Sequence, residues 1–388
     1  MQYASRWKAN GVDGYRRSWR YDLTLLLTVL CNTASLITRS RHISANAKMN
    51  NATPPNRPIT SYDVARRAGV SQSAVSRCFK PGASISKTTR AKVLKAATEL
   101  GYHPNAIAQG LITRRSNLVA VVISNLTNLY YPEVLAELTQ RLAAQGVKVL
   151  LFSLSHESDV DQVLQQVWSY RVDGAIVAAR LSPEQIRDFQ NRGVPLVLYN
   201  RVEERAACDS VCCDSAGGER LLVSSLLDAG HQHFGIIAGP ADSYVGEERV
   251  RSALECLASA GKHKVPVVRG EFDYQTGRSG FKELVEQTAG KLDAVICAND
   301  LMAIGAVDAA RHDFGRDVPG EVSVVGFDGV GPATWQSYKL TTIRQPVRRM
   351  TEAAVTMLMA RIADPSNPPE RRQFSGQFLL GSSARIAQ

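Results

Sequence analysis

Gln72, Ser73, Ser76 and Arg77 stand together on the outer side of a short predicted helix within Val64 to Phe79, VARRAGVSQSAVSRCF. A glutamine amide matches the N6/N7 edge of adenine, and a guanidinium matches the O6/N7 edge of guanine. A second polar set lies further on, where apolar runs end: Asn128, Tyr130 and Tyr131, then Asn200 and Arg201, then Phe272, then Asn299 and Asp300, with Arg249 opening a helix. Aromatic faces beside Arg, Asn and Asp suit a polyhydroxylated ligand, because each hydroxyl needs a donor or acceptor while the C–H faces stack. Catalytic signatures are missing from the chain. It has no Gly-Xaa-Ser-Xaa-Gly elbow, no Gly-Lys-Ser/Thr phosphate loop, no His-Glu-Xaa-Xaa-His and no dinucleotide glycine fingerprint. An enzyme is therefore not expected, nor a cofactor or metal. Cys208, Cys212 and Cys213 have no usual zinc spacing and no nearby histidine, so buried reduced thiols are expected.

Two short helices position the first set. Thr60 with Asp63 makes a weak capping box, and Val64, Ala65 and Ala68 give the first helix its apolar side. Gly69 supplies a residue free to take positive φ at the bend, and Ser71 is a candidate N-cap for the second helix. A third helix, Lys87 to Leu100, is expected to bury Val93, Leu94, Ala97 and Leu100. Two helices joined through a Gly-containing turn form a helix-turn-helix, whose second helix enters the major groove of DNA. Charge agrees: residues 56–115 hold 11 Lys/Arg against 2 acids, whereas residues 116–388 hold 27 against 32. A basic head on an acidic body is the footprint of a nucleic-acid reader carried by something else.

The second set needs a different scaffold. LVAVVIS (118–124), VKVLLFS (147–153), GAIVAA (174–179) and PLVLYN (195–200) alternate with helical stretches. The alternation resumes with HFGIIAG (233–239), VPVVRGEF (265–272), DAVICAN (293–299) and VSVVGFD (322–328). Continuous Val/Ile/Leu runs between helices mean parallel strands buried on both faces. Two such blocks predict two doubly wound parallel-sheet lobes with a ligand cleft between them, at the carboxyl ends of the strands. The fold class is thus a small all-α head plus an α/β body.

DVARRAGVSQSAVSR, TRAKVLKAATELGYHPNAIAQGL, VSVVGFD and LTTIRQP, in that order, make the chain resemble the lactose-repressor (LacI/GalR) family of bacterial transcription regulators over about residues 57 to 388. The resemblance implies a periplasmic-binding-protein-like body, a homodimer, double-stranded operator DNA as partner, and a cytoplasmic, nucleoid-associated site of action. The first residues of the recognition helix, Gln72 and Ser73, with Arg77 one turn on, would read bases; Arg77 could instead bind only phosphate. A hinge helix would wedge Leu111 into the minor groove, with Asn105 as its cap, unless Leu111 merely packs on the body. A lone helix this short is marginal in water, which suits a switch. Tyr131, Arg249, Phe272 and Asp300 match effector positions, and Asn200, Arg201 and Trp335 match less closely. Asp300 could alternatively cap its helix, and Arg249 could pair with Glu247 or Glu248 on the surface. Ser243, Tyr244 and Val245 sit where purine-responsive relatives carry a polar set. Val245 lacks the hydroxyl, which favours a sugar, sugar alcohol or sugar acid. The chain would cross between lobes three times, Gln345-Pro346 marking the last.

The expected domains are an N-terminal extension (1–56), the DNA-binding head (57–103), a hinge and linker (104–116) and the effector-binding, dimerising body (117–388). Arg16, Arg17 and Arg20 before Leu23 to Leu30 look like parts of a secretion signal, but the run is too short and interrupted to span a bilayer with ease. Family members begin just before the helix-turn-helix, so Met49 is the expected natural start, and no stable membrane association is expected. A secreted or membrane-anchored solute receptor would fit the body and Leu23–Leu30, but not the helix-turn-helix between them.

Overall fold

The computed structural model describes residues 57–80, 82–104 and 115–386. The proposed start at Met49, the hinge cap Asn105 and the wedge Leu111 lie outside the described residues. The chain divides into two compact units, one ending at Tyr102 and the other beginning at His103.

In the first unit, α1 (Ser61–Ala68), α2 (Gln72–Cys78) and α3 (Lys87–Leu100) close over one small core of Val64, Ala65, Val75, Cys78, Val93, Ala96 and Ala97. The Asp63 carboxylate accepts from the Thr60 N–H at 3.0 Å and the Thr60 hydroxyl at 2.8 Å. Gly69 takes φ 65°, and the Val70 N–H reaches back to the Ala65 carbonyl at 3.0 Å, ending α1 in a left-handed cap. Ser71 accepts from the Ala74 N–H, and Ser86 from the Thr89 N–H, which starts α2 and α3. One expectation needs correcting. Leu94 is exposed and Ala96 is buried instead, because a helical step of about 100° turns Leu94 away from the face shared by Val93, Ala96 and Ala97.

The body contains two six-stranded sheets. The first lobe alternates β1 (Leu118–Ser124), α4 (Tyr130–Ala144), β2 (Lys148–Leu154), α5 (Val160–Ser169), β3 (Gly174–Ala178), α6 (Pro183–Asn191), β4 (Leu196–Tyr199) and β5 (Asp209–Cys213). The second runs through α7 (Ser215–Asp228), β6 (Phe234–Ala238), α8 (Tyr244–Ser259), β7 (Val267–Arg269), α9 (Tyr274–Gln287), β8 (Ala294–Cys297), α10 (Asp300–Asp308), β9 (Ser323–Asp328) and β10 (Thr341–Arg344). Then α11 (Val347–Ala363) and β11 (Arg371–Phe374) return to the first lobe, and β12 (Gln377–Leu379) closes the second. The sheet orders are β11-β5-β4-β3-β1-β2 and β12-β10-β9-β8-β6-β7, with all pairs parallel except β10 with β12. β1, β3, β4, β6, β8 and β9 are buried almost throughout, as helices on both faces require. The three crossings fall between β5 and α7, between β10 and α11, and between β11 and β12. Gln345-Pro346 therefore marks the second crossing. The last follows Phe374, on short strands whose polar sequence reads as loop.

His231, in the turn between α7 and β6, is buried beneath the second lobe. Its Nδ1–H donates to the Leu226 carbonyl at 2.9 Å, leaving Nε2 to accept from the Ser323 hydroxyl at 2.8 Å. Burial holds its pKa below the ordinary 6.5. The unfolded chain takes up a proton as pH falls through that value while the folded body resists it, so stability drops on acidification. His231→Gln should flatten part of the fall in melting temperature between neutral and mildly acid pH, followed by calorimetry. Identical slopes for both proteins would show that this imidazole contributes nothing to acid lability.

Candidate functional site

On α2, Ser73, Ser76 and Arg77 are exposed, and Gln72 is half-buried. The core residues Val75 and Cys78 fix the rotation of the helix, so these polar groups must face outward. The Gln72 amide donates to the Ser61 hydroxyl at 3.3 Å, the Ser71 and Ser73 hydroxyls meet at 2.9 Å, and Arg77 Nε donates to its own helix at the Ser73 carbonyl, 3.4 Å. No carboxylate pairs with Arg77 among the described residues, so its charge is available to an outside acceptor. Elsewhere on the head, Arg67 is tied to Glu99 and Arg57 to Asp63, whose carboxyl is held well below the usual range chiefly by the Arg57 hydrogen bonds.

The second polar set converges on the cleft of the body. Asn125, Asn128, Tyr130, Tyr131, Asn200 and Arg201 come from the first lobe, and Ser243, Val245, Arg249, Phe272 and Asp328 from the second, with Gln345 on a crossing between them. The space left among these side chains is ≈ 10 Å³, about what one water requires. Each lobe contributes a buried ion pair. Arg201 binds Glu157, whose other contacts include the Arg180 N–H at 2.7 Å, and it also reaches the Ser124 hydroxyl at 3.3 Å. Burial opposes the Arg201 charge, but the Glu157 carboxylate outweighs it and holds the pKa above its ordinary value. In the second lobe Arg249 donates to Asp328 Oδ1 at 3.0 Å and to the Ala298 carbonyl at 2.6 Å, and its guanidinium lies 3.7 Å over the Phe327 ring. Burial raises the Asp328 pKa and Arg249 pulls it back.

Hydrogen bonds then join the lobes. Asn128 donates to Asp328 Oδ2 at 3.3 Å, Gln345 donates to Asp328 Oδ1 at 2.7 Å, and Asn200 donates to Gln345 Oε1 at 2.8 Å and to the Tyr130 hydroxyl at 3.1 Å. Asn200, Phe272 and Asp328 have φ of 53°, 59° and 113°. Side chains rarely adopt such angles, and strain of roughly 1–3 kcal/mol per residue is characteristic of ligand-binding positions. The Phe272 ring fits only because residue 239 is glycine: a Cβ there would lie 2.3 Å from it.

Tyr130, Tyr131, Asn200, Arg201, Arg249 and Phe272 are thus brought together as the spacing of strand ends implies. Arg249 does not pair with Glu247 or Glu248 on the surface; it is buried on Asp328, and Glu247 pairs with Arg269. Asp300 sits one layer behind the cavity. It accepts from the Val330 N–H at 2.8 Å and the Thr342 hydroxyl at 2.6 Å, and burial, with Asp328 nearby, pushes its pKa up to about 8. The cap of α10 is Asn299, which accepts from the Met302 N–H at 3.0 Å. Trp335 is 60 % exposed and does not line the cavity. Sequence reasoning missed Asp328 and Gln345 as cleft residues, and Glu157 as the carboxylate behind Arg201. Asp328 and Gln345 end VSVVGFD and follow LTTIR, so the signal of a polar residue at a strand end was present. Glu157 sits in a polar loop and gave none. Among the described residues no group of three His, Cys, Asp or Glu side chains could hold a metal ion. Cys208, Cys212 and Cys213 are free thiols, and burial pushes the last two up to about 12.

Residues 60–105 match the family described as bacterial regulatory proteins, lacI family, and residues 223–384 match the periplasmic binding protein-like domain. The HTH-type transcriptional regulator AscG of Escherichia coli (strain K12) is 30% identical over 332 residues, which cover 84% of this chain and 98% of that protein. A lac repressor dimer solved with operator and the anti-inducer ONPF is 26% identical, with a TM-score of 0.76 over 85% of this chain and all of that one. The transcriptional regulator CelR solved with cellobiose is 30% identical, with a TM-score of 0.63 over 84% of this chain and all of that one. A helix-turn-helix head, a two-lobed body with a polar cleft, and a relative aligned over nearly its whole length make this chain a member of the lacI family of bacterial transcriptional regulators.

Proposed function

We propose that this chain binds a palindromic operator as a homodimer, and that a small neutral polyol held between the lobes sets its affinity for that DNA. The observation that carries the reading is the cleft itself: two guanidiniums, each already matched to a buried carboxylate, surrounded by amides and aromatic hydroxyls. An anionic ligand would have to displace Glu157 or Asp328 from its arginine and leave a buried carboxylate unpaired, at several kcal/mol. With the lobes parted and their mutual hydrogen bonds released, hydroxyl groups can instead bridge Asp328, Asn200, Gln345 and the arginines without disturbing either pair. Among sugars, sugar alcohols and sugar acids, the cleft therefore favours the neutral kinds. Likeness to CelR with cellobiose supports the same class.

Asp328 and Asn128 belong to different lobes, and Gln345 bridges them. A ligand taking hydrogen bonds from these groups changes the relative free energy of lobe arrangements, and only that difference can reach the DNA. Ser73, Ser76 and Arg77 read the major groove, and Gln72 joins them on releasing Ser61. Asn105 and Leu111 keep their roles as hinge cap and minor-groove wedge. The protein works in the cytoplasm on the nucleoid as a binding module, without catalysis. No helix among the described residues is long and apolar enough to cross a membrane.

Arg77→Ala should cost about 1–3 kcal/mol on a duplex selected from random sequence and relax the preference at one base position. Equal loss on every duplex, by gel shift at fixed salt, would reduce Arg77 to a phosphate contact. Thermal shift against matched pairs of neutral sugars and their acids tests the cleft: stabilisation by an acid but not by its neutral partner would overturn the ligand class. Once a stabilising sugar is in hand, Asp328→Asn, which leaves Arg249 without its buried counter-charge, should lower the melting temperature, and the folded fraction should bind operator and lose most of the response to the sugar. A variant that still responds fully would remove Asp328 from the switch.

A further inference from the structure

The second lobe carries a concave surface of ≈ 820 Å³ at the end of its sheet opposite the cleft. It is formed by the turns that follow α7, α8 and α9, where the chain enters β6, β7 and β8. Its polar walls are Gln232, His233, Lys262, His263, Lys264, Gln287, Thr288 and Lys291, and among the described residues no carboxylate lines it.

The distribution of cations makes this surface unusual for the body. Residues 116–388 hold only six lysines, and three of them are here. Some arginines of the body are held by carboxylates, as in Arg141–Glu137, Arg269–Glu247, Arg278–Asp313, Arg361–Asp209 and Arg372–Glu370, and others by backbone carbonyls, as Arg311 and Arg316 are. Among the described residues none of Lys262, Lys264 and Lys291 has an acidic partner; Lys262 donates to the neutral Gln232 amide. Asp293, the nearest carboxylate along the chain, turns both oxygens to the Gln232 and His233 backbone N–H groups.

A plain structural duty for these lysines is to offset the carbonyl ends of α7, α8 and α9 and the nearby Asp293 carboxylate. Each helix end carries roughly half an elementary negative charge, so three ends balance about one and a half lysines. The positive charge left over is gathered in a concavity that focuses its field, on a body otherwise net acidic. Like charges held together without a partner destabilise the fold, and an anion relieves that cost. Its chemistry follows from the side chains. Planar carboxylates are met best by the bidentate fork of arginine, which is missing from these walls, whereas lysine ammonium groups act as point charges suited to phosphate oxygens. The volume lies in the range of small-molecule sites.

We propose that this surface is a second effector site, separate from the cleft, for a small metabolite bearing two or more phosphate charges. It goes beyond the cleft reading and does not depend on it.

Lysine acylation mapped by mass spectrometry on the full-length protein tests the site, with sodium triphosphate as probe and sodium chloride at matched ionic strength as control. Triphosphate should protect Lys264 and Lys291 severalfold and leave Lys148, on the first lobe, labelled as in chloride. Head lysines Lys87, Lys92 and Lys95 report separately any anion taken up there. The double variant K264E/K291E, at two exposed positions, should weaken the body's triphosphate affinity about tenfold or more, since each contact to a charged group is worth roughly that. K148E should leave it unchanged. Equal labelling of Lys264 and Lys291 in both salts would overturn the proposal. So would protection of these lysines by duplex DNA that triphosphate fails to reproduce, which would make the surface part of a macromolecular interface.

Discussion

The body is arranged around one buried carboxylate. Asp328 accepts from Arg249 and Gln345 on one oxygen and from Asn128 on the other, in a space that almost excludes water. A charge placed there without partners would cost several kcal/mol, so its neighbours are constrained to stay within hydrogen-bond reach. Arg249 is anchored to the Ala298 carbonyl and the Phe327 ring as well, which fixes α8 against β8 and β9. Asn128 brings the first lobe to the same carboxylate, and Gln345 ties the second crossing to it. Lobe position and cleft chemistry thus depend on the same few oxygen atoms.

A contrasting treatment of charge separates the two units. The head leaves Arg77 and several lysines unpaired on exposed helix faces, where water and salt screen them until a polyanion arrives. The cleft neutralises each guanidinium beforehand. Unpaired charge on a surface gives attraction at a distance, whereas paired charge in a closed space gives discrimination by hydrogen-bond geometry. One chain therefore holds a surface whose charge is left unmet and a closed site whose charge is met from within.

Much of this was legible before the fold was seen, for identifiable reasons. Six of the eight apolar runs are buried on both faces, and such runs carry a strong signal; the other two, β2 and β7, are edge strands and stay partly exposed. Ser71, Gly69 and Ser86 punctuate the head as local chemistry demands. Cleft residues at strand ends, such as Tyr131, Arg201 and Phe272, could be found because a parallel sheet presents its carboxyl ends to one side. What escaped was set by tertiary context. β5 opens with Asp209 and Ser210, and β11 reads RRQF; β5 is a strand by lying between β4 and β11, and β11 by pairing with β5, far away in sequence. α11, VRRMTEAAVTMLMARIA, is a plain helical pattern overlooked because the alternation with strands had ended. Glu157 could not be paired with Arg201 from sequence, since nothing local relates a loop acid to an arginine 44 residues later. Asp300 looked like a cleft residue because it follows β8, yet the first residue of a helix points its side chain by helical geometry, here toward Thr342 and Val330.

The threefold crossing has a bearing on biosynthesis. The lobe that opens at Leu118 closes its sheet edge with Arg371–Phe374 and covers one face with Val347–Ala363, so it is assembled from both ends of the body. A ribosome must deliver nearly the entire polypeptide before that half can be completed. Nascent chains accordingly expose unfinished strand edges until late in translation: a stop codon before Arg371 would leave the first lobe without its edge strand, and one before Gln377 would leave the second without β12.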